Sequence, residues 1–280
     1  MSTKPRIAID AMGGDEGVPV MIAGAALARH RHESFNFLLV GDEVRIKAAL
    51  DQHPNLRAAS EILHTDDVVT ADDKVSAALR KAKTSSMGMA INAVKTGEAS
   101  AAVSAGNTGA LMVMAKFCLK TLEGIDRPAI CTYMPTKKKG HGAVFLDLGA
   151  NAECDSQNLL QFAVLGSVFS RELFKIERPK IGLLNIGSEA MKGTDLVKET
   201  SELLETSPLP GVYAGYVEGD EILQGDFDVI VTDGFTGNVV LKAIEGAALN
   251  TAEAISRRYA DPEPALEVGR SFAVGTPAGA

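Results

Sequence analysis

Lys192 sits in a loop closed by glycine, NIGSEAMKG (Asn185–Gly193), directly after the apolar run KIGLLN (Lys180–Asn185). An ammonium group there can neutralise a bound anion or a developing oxyanion, or act as a base if burial lowers its pKa. Most loop lysines are simply solvated. What sets this one apart is its company, because four other apolar runs also lead into loops of glycine and small polar residues. These are AMGGD (Ala11–Asp15), SAGNTGA (Ser104–Ala110), DLGAN (Asp147–Asn151) and TDGFTGN (Thr232–Asn238). Glycine lets backbone approach a ligand closely, and the N–H groups at a helix start suit anions. The five loops together predict one composite anion-binding crevice.

Within them, Asp10, Gly13, Gly14, Ser104, Asn107, Thr108, Gly109, Asn151 and Thr236 are candidate phosphate or substrate contacts. Asp233 and Asn238 join Lys192 as candidate catalytic residues. Asn107 and Thr108 also suit a helix cap, and Asp233 and Asn238, which flank Gly234 and Gly237, suit a turn with a cap. Ser85 and Ser86 follow Lys83 at a helix start. They could hold phosphate through hydroxyl, N–H and ammonium groups, or serve as an ordinary N-cap.

The elements that must position these loops follow from periodicity. Short runs rich in β-branched residues, several apolar throughout, read as strands buried on both faces. They are Arg6–Asp10, Asn36–Val40, Glu61–His64, Ala101–Ser104, Ala129–Met134, Ala143–Asp147, Lys180–Asn185, Val212–Tyr216 and Asp228–Thr232. Helical stretches alternate with them at Val18–Arg31, Glu43–Gln52, Asp72–Ala82, Ser86–Thr96, Thr108–Leu122, Ser156–Phe174, Asp195–Leu204 and Gly237–Arg258. The alternation predicts an α/β fold, Rossmann-like, with a mostly parallel sheet and helices on both faces. In such folds ligands bind at the carboxyl ends of the strands. We expect one large catalytic domain over residues 1–258, with a faint subdivision near 124–142, followed by a Pro- and Gly-rich tail at 259–280.

Other chemistries lack their signatures. No G-x-G-x-x-G follows a strand and no G-x-x-x-x-G-K-[ST] occurs, so a dinucleotide or P-loop nucleotide has no support, and no G-x-S-x-G elbow is present. The histidines (His30, His32, His53, His64, His141) form no metal-ligand spacing, and the cysteines (Cys118, Cys131, Cys154) form no C-x-x-C pair, which predicts no metal site and a reduced, cytoplasmic protein. The 280 residues carry 28 basic and 36 acidic side chains, a formal net charge of −8, which argues against nucleic-acid binding. No apolar run approaches the roughly 20 residues a membrane span requires.

In order along the chain stand IAIDAMGGDEG (Ile7–Gly17), LVGDE (Leu39–Glu43), KTSSM (Lys83–Met87), SAGNTGALM (Ser104–Met112), GIDRPA (Gly124–Ala129), LDLGAN (Leu146–Asn151), LLNIGSEAMKG (Leu183–Gly193) and VTDGFTGNVVLK (Val231–Lys242). This ordered set resembles the bacterial phosphate acyltransferase family called PlsX over roughly Arg6 to Arg258. The resemblance implies transfer of a long-chain acyl group from acyl carrier protein to inorganic phosphate, giving acyl phosphate for phospholipid synthesis. It also implies a fold related to the phosphate acetyltransferases, a homodimer without metal or organic cofactor, and Lys192 as the catalytic lysine. An acidic enzyme meeting an acidic carrier needs a local basic patch, for which Arg29, Arg31, Lys81, Lys83 and Lys137–Lys139 are the candidates. After Arg258 the resemblance ends. Family members continue with a hydrophobic segment and a Gly-rich stretch ending in His-Gly, so this chain is expected to be shortened or to have diverged there. The expected peripheral contact with the inner face of the membrane depends on that part. The alternatives are a phosphate acetyltransferase-like enzyme using acyl-coenzyme A and a catalytically silent scaffold that binds the carrier protein.

Overall fold

The computed structural model describes residues 4–258, so the tail at 259–280 lies outside the described residues. The chain packs as two compact units that divide between Thr121 and Leu122, just ahead of the Gly124–Pro128 loop.

In the first unit, β1 (Arg6–Asp10), β2 (Asn36–Gly41), β3 (Ser60–His64) and β4 (Ala101–Val103) form an all-parallel sheet in the order β3-β2-β1-β4. The chain winds from β1 outward to β3 and then crosses to the other side of β1. The carboxyl ends of β1 and β4 therefore flank a topological switch point, where the two following loops diverge and leave a crevice. Alternation along the strands feeds two cores. Ile9, Phe37 and Leu39 pack with Ile22, Ile46 and Leu56 of α1 (Val18–Arg31), α2 (Glu43–Leu50) and α3 (Pro54–Arg57). Ala8, Leu38 and Val40 face Ala90 and Ala93 of α5 (Ser86–Lys95). Outside that layer, α4 (Val75–Arg80) and α6 (Thr108–Leu119) join α5 in a further cluster around Met87 and Met114.

The second unit holds β5 (Cys131–Pro135), β6 (Gly142–Leu146), β7 (Lys180–Leu184), β8 (Val212–Val217) and β9 (Val229–Val231) in the order β5-β6-β9-β7-β8. Only β5 is antiparallel to its neighbour. Val144, Leu146, Ile181, Leu183, Val229 and Val231 point to α7 (Ser156–Phe174) and α8 (Asp195–Thr206). Phe145, Ile230 and Val217 point to the opposite face, which Leu241 of α9 (Gly234–Arg258) covers. The helix α7 lies directly on the strands because residue 166 is glycine. A Cβ there would sit 2.5 Å from Val229 Cγ1 and 2.9 Å from Leu146 Cδ2.

Every expected strand and helix has a counterpart, and the nine strands fall into two sheets, one in each unit. Three local differences have physical causes. The four-residue helix α3 is too short to show a period. The expected start at Asp72 moves to Val75, because Asp73 closes a turn by accepting from Thr70 N at 3.0 Å. The last helix begins at Gly234 rather than Gly237, since its glycines serve close packing and not a loop. Among the described residues no helix is long and apolar enough to cross a membrane.

Phe145 is fully buried in a strand covered on both faces. Truncation of Phe145 to alanine is expected to cost about 3–5 kcal/mol. Val44→Ala, at a side chain 78% exposed, should stay within about 0.5 kcal/mol. Urea unfolding followed by circular dichroism checks both, and equal effects would contradict this core.

Candidate functional site

Two of the five loops belong to the first unit and three to the second, and each unit gathers its own at the carboxyl ends of its strands.

In the first unit the last residue of β1 organises the loops. Asp10 is buried, and its Oδ2 accepts from Ser104 Oγ at 2.7 Å across the switch point, while Oδ1 accepts from Met12 N at 3.3 Å. Ser104 Oγ in turn accepts from Gly106 N at 3.0 Å, so one hydroxyl couples the carboxylate to the loop after β4. Gly13 is required by this knot, because a Cβ there would lie 2.6 Å from Asp10 Oδ2. Next to it lies a pocket of 660 Å³ lined by Met12, Gly14, Val69, Gly106, Thr108 and Gly109 among others. Asn107 caps α6 by accepting from Ala110 N at 2.9 Å and donates its amide to Ala71 O at 2.9 Å. Those bonds leave the N–H groups of Thr108 and Gly109, which have no partner within the helix, open to an anion.

The KTSSM segment is built differently. Ser85 is the buried N-cap of α5, accepting from Gly88 N at 3.2 Å and donating to Lys81 O at 2.8 Å. Ser86 is buried with its hydroxyl unpartnered, and Lys83 is exposed. None of the three lines the pocket.

In the second unit the organising group is Asp147, the residue after β6, with no exposed surface. Its Oδ1 accepts from Ile130 N at 2.9 Å, Gly149 N at 3.2 Å and Ala150 N at 3.0 Å. Its Oδ2 accepts from Asn151 N at 2.8 Å and Asn151 Nδ2 at 2.9 Å. Asn151 also donates to Pro128 O at 2.8 Å, so its amide ties the knot to the segment ahead of β5. Gly234 N donates to Asn151 O at 2.8 Å, which anchors α9 on the same knot. Gly234 and Gly237 permit the approach, since a Cβ on Gly237 would fall 1.8 Å from Asp147 O.

At the start of α9, Asp233 accepts from Thr236 N at 2.9 Å and from Thr236 Oγ1 at 2.7 Å, and Gly237 N donates to Asp233 O at 2.9 Å. Asp233 and Thr236 are thus partners in a cap. Most N–H groups at this helix start are spent, in contrast to α6. Asn238 is exposed, with its side chain over Gly149. Lys192 is exposed on the β7 loop, and its ammonium has no hydrogen bond or ion pair among the described residues. The loop itself is held by Asn185, which is buried and donates to Gly187 O at 3.0 Å and Lys192 O at 3.3 Å. Beneath it opens a pocket of 690 Å³ that includes Ile186, Gly193, Thr194, Asp233 and Thr236.

Sequence reasoning passed over Asp147 and Asn185. Each is the first polar residue after a fully apolar run, the same signal that marked Asp10 at the end of its strand. Two cysteines adjoin the Asp147 knot. Burial, and then the charge of Asp147, pushes the Cys131 thiol up to about 12. Burial likewise raises Cys154. Neither supplies a thiolate nucleophile near neutral pH. Among the described residues no group of three His, Cys, Asp or Glu side chains could hold a metal ion.

Residues 5–261 match the family model described as fatty acid synthesis protein. A relative from Erythrobacter litoralis named phosphate acyltransferase is 60% identical over 245 residues, covering 87% of this chain and 69% of its own. One of the same name from Rhodospirillum centenum is 51% identical over 259 residues, covering 92% and 72%. Among solved structures, a phosphotransacetylase from Streptococcus pyogenes superposes with a TM-score of 0.63 at 20% identity, over 89% of this chain and 83% of that one. The EutD phosphotransacetylase from Staphylococcus aureus gives 0.59 at 21% identity, over 97% and 93%. At these identities the structures establish the shared fold.

The Asp147 knot sets a measurable cost. Asp147→Ala leaves four backbone N–H groups without their acceptor and removes one of the two acceptors of Asn151 Nδ2, and is expected to destabilise the second unit by about 3 kcal/mol or more. Asp147→Asn keeps one acceptor and should lose less. Urea titration of both variants, with a stability equal to wild type for the alanine variant, would remove the carboxylate from this role.

Proposed function

We propose that this chain, which belongs to the fatty acid synthesis protein family, transfers a long-chain acyl group from acyl carrier protein to inorganic phosphate. The relatives named phosphate acyltransferase support the reaction. The observation that carries its placement is the ammonium of Lys192, unpaired among the described residues, on a loop that Asn185 holds by its backbone carbonyls. An unpaired lysine on a fixed loop is available for a charge that appears only during reaction.

Phosphate is already partly dianionic at neutral pH, so the protein has mainly to hold and orient it. In the first unit, taken by itself, the open N–H groups of Thr108 and Gly109 at the start of α6 suit an anion. A phosphate oxygen attacks the thioester carbonyl, the new C–O bond forms, the C–S bond breaks, and the carrier thiolate leaves to be protonated by water. Lys192 stabilises the oxyanion of the tetrahedral intermediate. It is not a covalent carrier, because an acyl-lysine is an unreactive amide. The raised Cys131 and Cys154 thiols also argue for direct transfer rather than a relay through cysteine.

The carrier contact narrows by elimination. Lys81 pairs with Asp73 at 3.0 Å and Lys138 with Asp226 at 2.8 Å, and Arg29 is tied to the carbonyls of Glu33 and Phe35. Arg29 and Arg31 end α1, and Lys137–Lys139 precede β6, so both clusters lie at the amino ends of parallel strands, away from the Gly-rich loops. Lys83 remains, exposed and unpaired among the described residues and close in sequence to the loop after β3. A homodimer belongs to the same proposal, as the family resemblance implies.

Two measurements test this reading. Lys192→Ala should fold normally and lower acyl phosphate formation from acyl carrier protein and phosphate about 100- to 1,000-fold in kcat. Wild-type turnover would remove Lys192, and a preference for acyl-coenzyme A would replace the donor. Lys83→Glu should raise the KM for carrier about tenfold at low salt, an effect that shrinks as salt screens it. A rise in the KM for phosphate instead would make Lys83 a phosphate ligand.

A further inference from the structure

The 690 Å³ pocket of the second unit differs in kind from an anion site. Its polar side chains satisfy one another. Asp233 is bonded to Thr236 through both carboxylate oxygens, Asn185 donates to loop carbonyls, and Thr194 caps α8 by accepting from Val197 N at 3.4 Å. What the walls still offer is hydrocarbon, from Leu184 at the end of β7, Ile186 on the lysine loop, Val197 on α8 and Val240 on α9.

The surroundings point the same way. Ile186, Met191, Phe235 and Val239 are each more than half exposed, Ile186 at 80%, and all four lie on the two segments that border the pocket. Ile186 itself lines the pocket, and exposed large apolar side chains on bordering segments mark a surface that is covered when a ligand binds. The volume lies within the range of about 300–1,000 Å³ for small-molecule sites. Ile186 lies on the same β7 loop as Lys192.

We infer that this pocket receives the alkyl chain of the acyl donor, and that Ile186, Val197 and Val240 set the chain length it accepts. The inference rests on the acyl-transfer reading and adds to it the residues that measure the chain. Each methylene moved out of water is worth about fourfold in binding, so a side chain that displaces two methylenes discriminates by about fifteenfold.

The test uses the full chain with octanoyl and hexadecanoyl carrier protein as donors, and cis-parinaric acid, a fluorescent long-chain fatty acid, as a binding ligand. Val240→Phe should lower kcat/KM for the hexadecanoyl donor about fifteenfold and leave the octanoyl donor within about twofold. Ile186→Asn, at a side chain largely in solvent, should raise the KM for the longer donor selectively and leave the fold intact. Both variants should weaken parinaric acid binding. Equal changes for the two donors, or none, with unchanged parinaric acid binding in folded Ile186→Asn, would overturn the pocket assignment. A wild-type chain that transfers neither acyl group would instead overturn the reaction, while parinaric acid binding by wild type and Ile186→Asn still decides the pocket.

Discussion

The arrangement depends on a buried carboxylate at the end of a central strand, used once in each unit. Asp10 and Asp147 are both removed from water, a state that a charged group tolerates only when hydrogen bonds replace its hydration. Asp10 obtains them from Met12 in the loop after its own strand and from Ser104 after β4, and Asp147 from its own loop and from Ile130. The loop is thereby folded back on the strand end, and its neighbours must come close enough to leave no room for a Cβ. Gly13 in one unit and Gly234 and Gly237 in the other follow from this requirement. In the second unit the knot extends to Ile130 and Pro128 on one side and to the start of α9 on the other.

The same device leads to different results in the two units. In the first, the Asp10–Ser104 contact leaves the start of α6 open, with only Asn107 taking one of its N–H groups. In the second, Asn151 and Asp233 consume the donors at the start of α9, and the adjoining pocket is left with apolar walls. One unit presents dipoles and the other presents hydrocarbon and a free ammonium.

Much of this was legible in the sequence. Apolar runs with no polar break marked the strands, since parallel strands covered on both faces have no solvent side to vary. The loops at Ala11–Asp15, Ser104–Ala110 and Asn185–Gly193 stood out through glycine and small polar residues, and Lys192 through its place among them. The role of Asp147 was hidden, because a carboxylate in an anion-binding loop looks repulsive until its five donors are seen. One of those donors, Ile130 N, lies 17 residues away. Asp233 and Thr236 carry a double reading for the complementary reason. Capping and anion binding use the same residue types, and only the bonds distinguish them. The pocket walls draw on β7, α8 and α9, so no single motif could display them.

Cys131 sits where β5 meets the Asp147 knot, one residue beyond Ile130, with its thiol held in the neutral form by burial and by the neighbouring carboxylate. As long as that edge strand stays paired with β6, the sulfur is chemically quiet. Local opening of the strand would expose it to water, return its acidity to the ordinary range and make it reactive. The residue is therefore a built-in clock for the edge of the sheet. The rate at which a thiol reagent finds it measures how often the scaffold of the second unit comes undone, independently of any substrate.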